Sequence, residues 1–262
     1  MSFNFNEKYE EKIMKKIART TKRIKGEEDF EIVEEVFDRE TLMTLYRLIN
    51  AGFIEKFFGA VATGKEAKVY WAQDPKGEDI AVKIFLKETS DFKKSIIRYI
   101  DGDPRFRRTR KDIRYLIKLW CGKEFKNLKE VYSVGVKVPK PITFLNNVLV
   151  MEFVGENGVP APLMKEKPPE NPEKAYNIIM KYIERAVVNA KIVHADLSEY
   201  NILNHNEELY IIDWGSAVHI SHPMAFEFLK RDIKNINFFF RRLGVKVVSV
   251  EEAFRHLVKM IK

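Results

Sequence analysis

The residues of this chain most able to do chemistry are Asp196, Asn201 and Asp213. They stand in His194-Ala-Asp-Leu-Ser-Glu-Tyr-Asn-Ile-Leu203 and Ile212-Asp-Trp-Gly215. A carboxylate, an amide five residues on and a second carboxylate behind an apolar run suit phosphoryl transfer. The first can take a proton from a hydroxyl or water, while Asn201 and Asp213 offer hard oxygens to magnesium on phosphates. Asp and Asn also make ordinary turns, but the joint spacing His-x-Asp-x4-Asn … Ile-Asp-x-Gly says more than turn chemistry would. The apolar runs Ile202-Leu203 and Leu209–Ile212 read as a hairpin around a polar loop, Asn204-His-Asn-Glu-Glu208. That hairpin presents Asp196 and Asn201 from the loop before it and Asp213 from the end of its second strand.

A second constellation lies upstream. Three strands are predicted, Phe57–Ala62, Ala67–Ala72 and Asp79–Phe85, with the turn Thr63-Gly64-Lys65-Glu66 between the first two. Backbone amides and a lysine in that turn can lie over phosphates, glycine permitting close approach, although the turn alone also reads as a plain hairpin. In the third strand Lys83 shares a face with Ala81 and Phe85, which puts a charge among apolar neighbours. A buried ammonium needs a partner. The helix predicted over Ile113–Val134, capped by Asp112 and closed by Gly135, supplies Glu124 on its apolar seam, three to four residues from Trp120, Cys121 and Leu128. A carboxylate there is either half of an ion pair with Lys83 or a partly exposed seam edge. Two misplaced charges of opposite sign favour the pair, which in a nucleotide site aims the lysine at phosphates.

The other elements frame these two groups. A charged helix is expected over 7–25, and a clearer one runs from the Asp38 cap through Leu42, Leu45, Tyr46 and Ile49 to Gly52. Both read as an extension packed on the following lobe. Strands Ile142–Leu145 and Val148–Phe153 flank an Asn146-Asn147 turn, and Met151-Glu152-Phe153-Val154-Gly155 would link two lobes, with the backbone of Glu152 and Val154 placed for an adenine edge. Asn171-Pro172 starts a helix whose Tyr176, Ile179, Met180, Ile183 and Val187 form a core stripe. A helix over Met224–Leu243 and one opened by Ser249-Val-Glu-Glu252 follow. Asp232 either bonds the backbone of the 194–201 loop or sits on an exposed face. His194 reads as structural, and His219 and His222 as ordinary turn residues.

The net charge of +8 is uneven: eleven basic residues against five acidic ones fall between Lys87 and Lys118. A solvated face is the usual meaning of such an excess, but its density favours a polyanion such as RNA. Within it, a helical turn is predicted near Lys93–Tyr99, and Thr109, among arginines, is either a self-phosphorylation site or a plain loop threonine. One cysteine, Cys121, excludes an internal disulfide. With no bilayer-length apolar run and no signal-like start, a cytoplasmic protein without a membrane partner is expected.

Thr63-Gly-Lys-Glu-Ala67, Ala81-Val-Lys83, Glu124-Phe-Lys-Asn-Leu128, Met151-Glu-Phe153, the 194–203 and 212–213 segments and His222-Pro-Met-Ala-x-x-Phe-Leu-x-Arg-Asp232 together resemble the RIO family of atypical protein kinases, and its first branch more closely than its second. The resemblance implies a two-lobed, protein-kinase-like α+β fold with an antiparallel-sheet N-lobe and a small, mainly helical C-lobe. Its parts would be an N-terminal helical extension over 1–56, an N-lobe over 57–154 holding the basic loop 87–111, and a C-lobe over 155–262. It implies ATP as nucleotide and magnesium, or alternatively manganese, as metal. Asp196 would be the catalytic base, Asn201 and Asp213 the metal ligands, and Asp213 also a phosphoaspartate site. Lys83 with Glu124 would serve the phosphates, Thr63, Gly64 and Lys65 would form the phosphate loop, and Val69, Ala81, Met151, Glu152 and Val154 would complete the nucleotide site. The family acts in small ribosomal subunit maturation, so the precursor subunit and its rRNA, met through the basic loop, are the implied partners. The resemblance names no protein substrate.

The chain departs from that pattern in places. Ala62 stands where the branch usually has serine, and Trp-Gly-Ser-Ala-Val follows Asp213 in place of a glutamine-bearing segment. Trp214–Ser221 is also too short for the activation loop of ordinary protein kinases. Two other functions fit parts of the pattern. A small-molecule phosphotransferase of the aminoglycoside or choline kinase type shares the catalytic loop, but should carry a larger C-lobe with an acidic cleft. A nucleotide-gated, non-catalytic RNA-binding scaffold would not need all four of Lys83, Asp196, Asn201 and Asp213.

Overall fold

A computed structural model describes residues 38–86, 96–106 and 112–261. The helix expected over 7–25, Thr109 and part of the basic loop lie outside them. Asp38 accepts a hydrogen bond from the Thr41 amide (2.8 Å) and starts helix α1 (Arg39–Asn50), and Gly52 at φ 76° turns the chain beyond it. The N-lobe sheet is antiparallel in the order β1-β2-β3-β5-β4, formed by β1 (Lys56–Thr63), β2 (Ala67–Gln73), β3 (Asp79–Phe85), β4 (Pro141–Leu145) and β5 (Val148–Glu152).

The period-2 pattern of β3 decides which face does what. Ile80, Val82 and Ile84, with Val148 and Val150 of β5, pack against Leu45, Leu48 and Ile49 of α1. Burying Leu45 and Leu48 there contributes roughly 1.5–3 kcal/mol each. Ala81 and Lys83 therefore face the other way, into the space between the lobes. Asn147 fastens α1 to the sheet by donating to Thr41 Oγ1 (2.9 Å) and to the Phe85 carbonyl (3.1 Å).

Between β3 and the next long helix, residues 96–100 are helical and Pro104–Phe106 make a short 3-10 turn. Helix α2 (Ile113–Ser133) starts at Asp112, which accepts from the Tyr115 amide, and buries Leu116, Ile117, Trp120, Cys121, Leu128 and Val131. The apolar seam read from sequence is this face.

Beyond β6 (Gly155–Glu156) and β7 (Val159–Pro160), the C-lobe is built on α3 (Pro172–Glu184), α4 (Ala225–Arg242) and α5 (Val250–Ile261). Asn171 caps α3, and a π-helical turn over Arg185–Asn189 extends it, which the periodicity did not foretell. Strand β8 (Ile192–Val193) pairs with β11 (Val218–His219), and β9 (Ile202–His205) with β10 (Glu208–Ile211). The β9–β10 turn is tighter than expected. Asn206 and Glu207 both take positive φ, as a two-residue type I′ turn demands, so the strands run further into the polar segment. The second strand also ends two residues short of Asp213, which the turn after it carries.

Candidate active site

A cavity of about 570 Å³ lies between the lobes. Every candidate residue named from sequence lines it except Thr63: Gly64, Lys65, Val69, Ala81, Lys83, Glu124, Met151, Glu152, Val154, Asp196, Asn201 and Asp213. Thr63 ends β1 outside the lining, and the Gly64 amide closes the turn onto the Ala67 carbonyl (2.9 Å). Val61 and Ala62 line the cavity beside Gly64 instead.

Helix α4 and the hairpin hold the 194–201 loop in place. Asp232, buried on α4, accepts from the Ala195 amide (2.8 Å) and the Leu197 amide (3.0 Å), while Asn235 donates to the Leu197 carbonyl (3.1 Å). Arg231 donates to the Ala195 carbonyl. The alternative left open for Asp232 resolves in favour of the loop. Burial raises its pKa to about 7, against the two amide bonds. Ala195, between these anchors, takes the left-handed φ of 66°, a conformation that costs an L residue energy and that the bonds to α4 over-determine. His194, buried, bonds the Ile212 carbonyl through Nε2 (3.0 Å) and stacks edge-on against Trp214, so its role is structural.

Asn201 and Asp213 are brought together where the Ile212 amide donates to the Asn201 carbonyl (2.9 Å). The Asn201 amide nitrogen donates to the Asp196 carbonyl (2.8 Å), which leaves its side-chain oxygen for another partner. Asp213 takes φ 62° and its side chain is 52 % exposed toward the cavity. Asp196 is exposed there too, and its pKa is raised by partial burial and by the neighbouring Asp213 charge, which favours proton acceptance.

Lys83 Nζ lies 2.8 and 2.9 Å from the two Glu124 carboxylate oxygens and 3.0 Å from Asp213 Oδ1. Burial alone would lower the lysine pKa, but the Asp213 and Glu124 charges outweigh it and hold the ammonium protonated. Lys83 in turn draws the Asp213 pKa below the ordinary carboxylate range. The predicted pair is thus part of a triad that reaches the second lobe.

At the lobe link, the Glu152 amide donates to the Lys140 carbonyl (2.9 Å), and the Val154 carbonyl accepts from the Ala161 amide (2.9 Å). The backbone groups left for an adenine are the Glu152 carbonyl and the Val154 amide, one acceptor and one donor. Val69, Ala81, Met151, Leu203 and Ile212 supply apolar walls for a flat base.

The donor set fits magnesium. Asn201 and Asp213 supply two hard oxygens, and no cluster of three or more His, Cys, Asp or Glu side chains able to hold a metal occurs among the described residues. A metal bound by few protein oxygens, with phosphates and water completing the octahedron, is how Mg²⁺ is usually held.

Sequence reasoning missed several residues here. Glu66, quoted in the phosphate turn but given no role of its own, lines the cavity, its pKa raised by burial and by Asp213. His222 is buried rather than an ordinary turn residue, bonding the Asp101 carbonyl through Nε2 (3.0 Å). Lys123 and Asn127, on the same helix as Glu124, are buried against the Trp214–Ala217 turn.

Comparison with known proteins follows the same lines. The RIO domain matches residues 68–253. The RIO-type serine/threonine-protein kinase Rio1 of Haloferax volcanii is 43% identical over 222 residues, 85% of this chain and 76% of that protein. The corresponding kinase of Methanocaldococcus jannaschii is 39% identical over 93% of this chain and 81% of its own. Human serine/threonine-protein kinase RIO1 is 39% identical over 88% of this chain, which spans only 41% of that longer protein. Among solved structures, the Rio2 kinase–ADP/Mg²⁺–phosphoaspartate complex from Chaetomium thermophilum superposes with a TM-score of 0.64 at 24% identity, covering 82% of this chain and 65% of that one. This likeness shows the two-lobed kinase fold.

Proposed function

The chain belongs to the RIO family, and from that premise we propose that it is a serine/threonine protein kinase and ATPase that uses ATP and magnesium. The observation that carries this reading is the convergence of Lys83, Glu124, Asp196, Asn201 and Asp213 on one cavity between the lobes. The apolar walls and the lobe link take the adenine. Lys83, held charged by its two carboxylates, meets the phosphates. Asp196 accepts the proton of a serine or threonine hydroxyl, or of water, as its oxygen bonds phosphorus and ADP departs with the bridging oxygen. Magnesium, bound by Asn201 and Asp213, would neutralise charge on the phosphates, and manganese suits the same oxygen donors.

The relatives carry names of protein kinases, which supports protein phosphorylation over small-molecule transfer. We read the partner as a small ribosomal subunit precursor with its rRNA against the basic stretch 87–111, in the cytoplasm. The support is the surplus of six positive charges between Lys87 and Lys118. No described helix is long and apolar enough to cross a membrane.

The test is ATP hydrolysis and self-phosphorylation by the purified chain with magnesium, with and without small ribosomal subunits, beside Asp196→Ala. Turnover stimulated by subunits and lost in the variant is expected. Nucleotide binding without turnover in either protein, subunits included, would sink the enzyme reading and leave a nucleotide-gated scaffold.

A further inference from the structure

Lys123 is 1 % exposed, and its Nζ donates to two backbone carbonyls, Gly215 and Ala217, each at 2.5 Å. Its ammonium lies 4.8 Å from the centre of the Trp120 ring, and no carboxylate bonds it among the described residues. Asn127, one turn along α2 and fully buried, donates to the Trp214 carbonyl (2.9 Å) and again to that of Ala217 (3.1 Å). Its side-chain oxygen accepts from Arg105 Nη1 (2.8 Å), and Arg105 is paired with Asp103 at 2.7 Å. Four hydrogen bonds from one helix thus gather three carbonyls of the turn that follows Asp213.

A buried lysine with no carboxylate bonded to it is costly, since the Asp103 and Glu124 charges nearby repay only part of the desolvation. Burial first, and then the Arg105 charge, bring its pKa down to about 7. The reaction proposed above uses neither Lys123 nor Asn127. The turn itself offers little else: the Ala217 amide reaches the Trp214 carbonyl at 3.3 Å, and the Gly215 carbonyl has Lys123. An apolar side chain at position 123 would leave the Gly215 carbonyl without its donor and the turn held to the helix by Asn127 alone.

We propose that Lys123 and Asn127 are positioning residues for Asp213, fixing the turn behind it to helix α2 and so setting the metal-bearing carboxylate. The adjacent Glu124 on the same helix sets Lys83. Helix α2 then places both charged partners of the phosphates as one unit, and a shift of that helix would disturb them together. The metal role of Asp213 is taken from the proposed function, but the clamp itself is geometry.

A mere strut would lose stability and nothing else, so the experiment reads metal binding. Full-length Lys123→Met keeps the side-chain length and removes the donors. Mn²⁺ binding to the ADP-loaded protein is measured by calorimetry, together with ADP affinity without metal, the thermal midpoint and the magnesium concentration for half-maximal ATP turnover. Partners of a metal ligand typically carry 10–100-fold in metal affinity or activity. We expect Mn²⁺ binding weaker by about tenfold in the variant and the magnesium midpoint raised to match. ADP affinity without metal should stay within about threefold, because Val69, Ala81 and the lobe link are untouched. A folded Lys123→Met with unaltered metal binding overturns the proposal. If it does not fold, Asn127→Ser, which keeps the lysine, is held to the same criterion. A wild type that binds Mn²⁺ with ADP but transfers no phosphoryl group defeats the proposed function, while the metal comparison still decides the positioning role. A wild type that binds no metal with ADP overturns both.

Discussion

Lys83 and Asp213, 130 positions apart, meet at 3.0 Å in a cavity where Glu124 already grips the same ammonium at 2.8 Å. The sheet of one lobe, helix α2 and the turn after the C-lobe hairpin therefore converge on a single positive charge. Glu124 is 1 % exposed and Lys83 11 %, whereas Asp213 is half in the open. The inner pair is thus the fixed part of the triad, and the outer carboxylate is the one a metal or a phosphate can reach.

Removing the ammonium should cost more than its net worth. Lys83→Met leaves the Glu124 carboxylate buried and unpaired, and breaking a buried pair in this way costs about 3–5 kcal/mol. Replacing both, Lys83→Met with Glu124→Leu, should recover most of that loss while leaving ATP turnover abolished. Urea denaturation of the three proteins checks the first statement and a turnover assay the second. A double variant no more stable than Lys83→Met alone would show that the carboxylate is not the source of the loss.

Asp196 sits at the cavity surface and its side chain bears little of the fold. Asp196→Asn should therefore lower kcat by about 10²–10⁴-fold, the usual range for a positioned general base. ADP affinity and the thermal midpoint should barely change. Turnover within a few-fold of wild type would remove Asp196 from the proton transfer.

Acid should act through His194. Its Nε2 carries the hydrogen bonded to Ile212, and its buried Nδ1 has no partner, so a second proton would be stranded there. Burial lowers the pKa to about 4 from an unfolded value of 6.5. Between those values the unfolded chain binds a proton that the folded chain refuses, so stability rises with pH across the window and falls on acidification. The whole effect is about 3 kcal/mol. Asp232, with its pKa raised to about 7, runs the other way: the folded state holds its proton where the unfolded state does not. The informative quantity is therefore the difference from His194→Gln, whose loss of stability from pH 7 to pH 4 should be smaller by about 3 kcal/mol. Parallel pH curves for the two proteins would contradict this.

The parts of the cavity lining legible in sequence are those where residue type and spacing point to one chemistry. Asp196, Asn201 and Asp213 are such a set. Lys83 and Glu124 were legible for a different reason, each being a charge on a face that periodicity calls apolar. Lys123 gives no such sign, because a lysine beside a seam glutamate in a helix rich in lysine looks like solvated surface. What buries it is the turn after Asp213, contributed from 92 positions away. His222 was misread for the same reason: its partner, the Asp101 carbonyl, lies 121 positions upstream. Asp232 stayed open in sequence between the loop backbone and an exposed face, since helical periodicity names a face and not its occupant. The excess residues of the β9–β10 hairpin looked like loop because Asn204, His205 and Glu208 are polar, yet pairing in a hairpin depends on its turn as well as on hydrophobicity.

Gly215 is where the two charge-bearing arms of helix α2 come closest to conflict. A methyl group there would lie 2.9 Å from Trp120 Nε1, 3.1 Å from Cε2 and 3.3 Å from Glu124 Oε2. The Trp120 ring is buried and packed against Tyr99 (centroids 6.1 Å), so it has little room to give. Gly215→Ala must then push the turn off α2 or displace Glu124 from Lys83. We expect a loss of about 1–3 kcal/mol, the usual cost of overpacking, with a fall in turnover that Asp196-independent nucleotide binding does not share. If the clash is with the indole, Trp120→Phe should relieve it, and the double variant should be more stable than the sum of the single losses implies. Contacting residues couple by about 0.5–3 kcal/mol in such cycles. Strict additivity would move the cause from the ring to the Glu124 carboxylate, and a further lowering of turnover by Trp120→Phe would then follow from loosened packing alone.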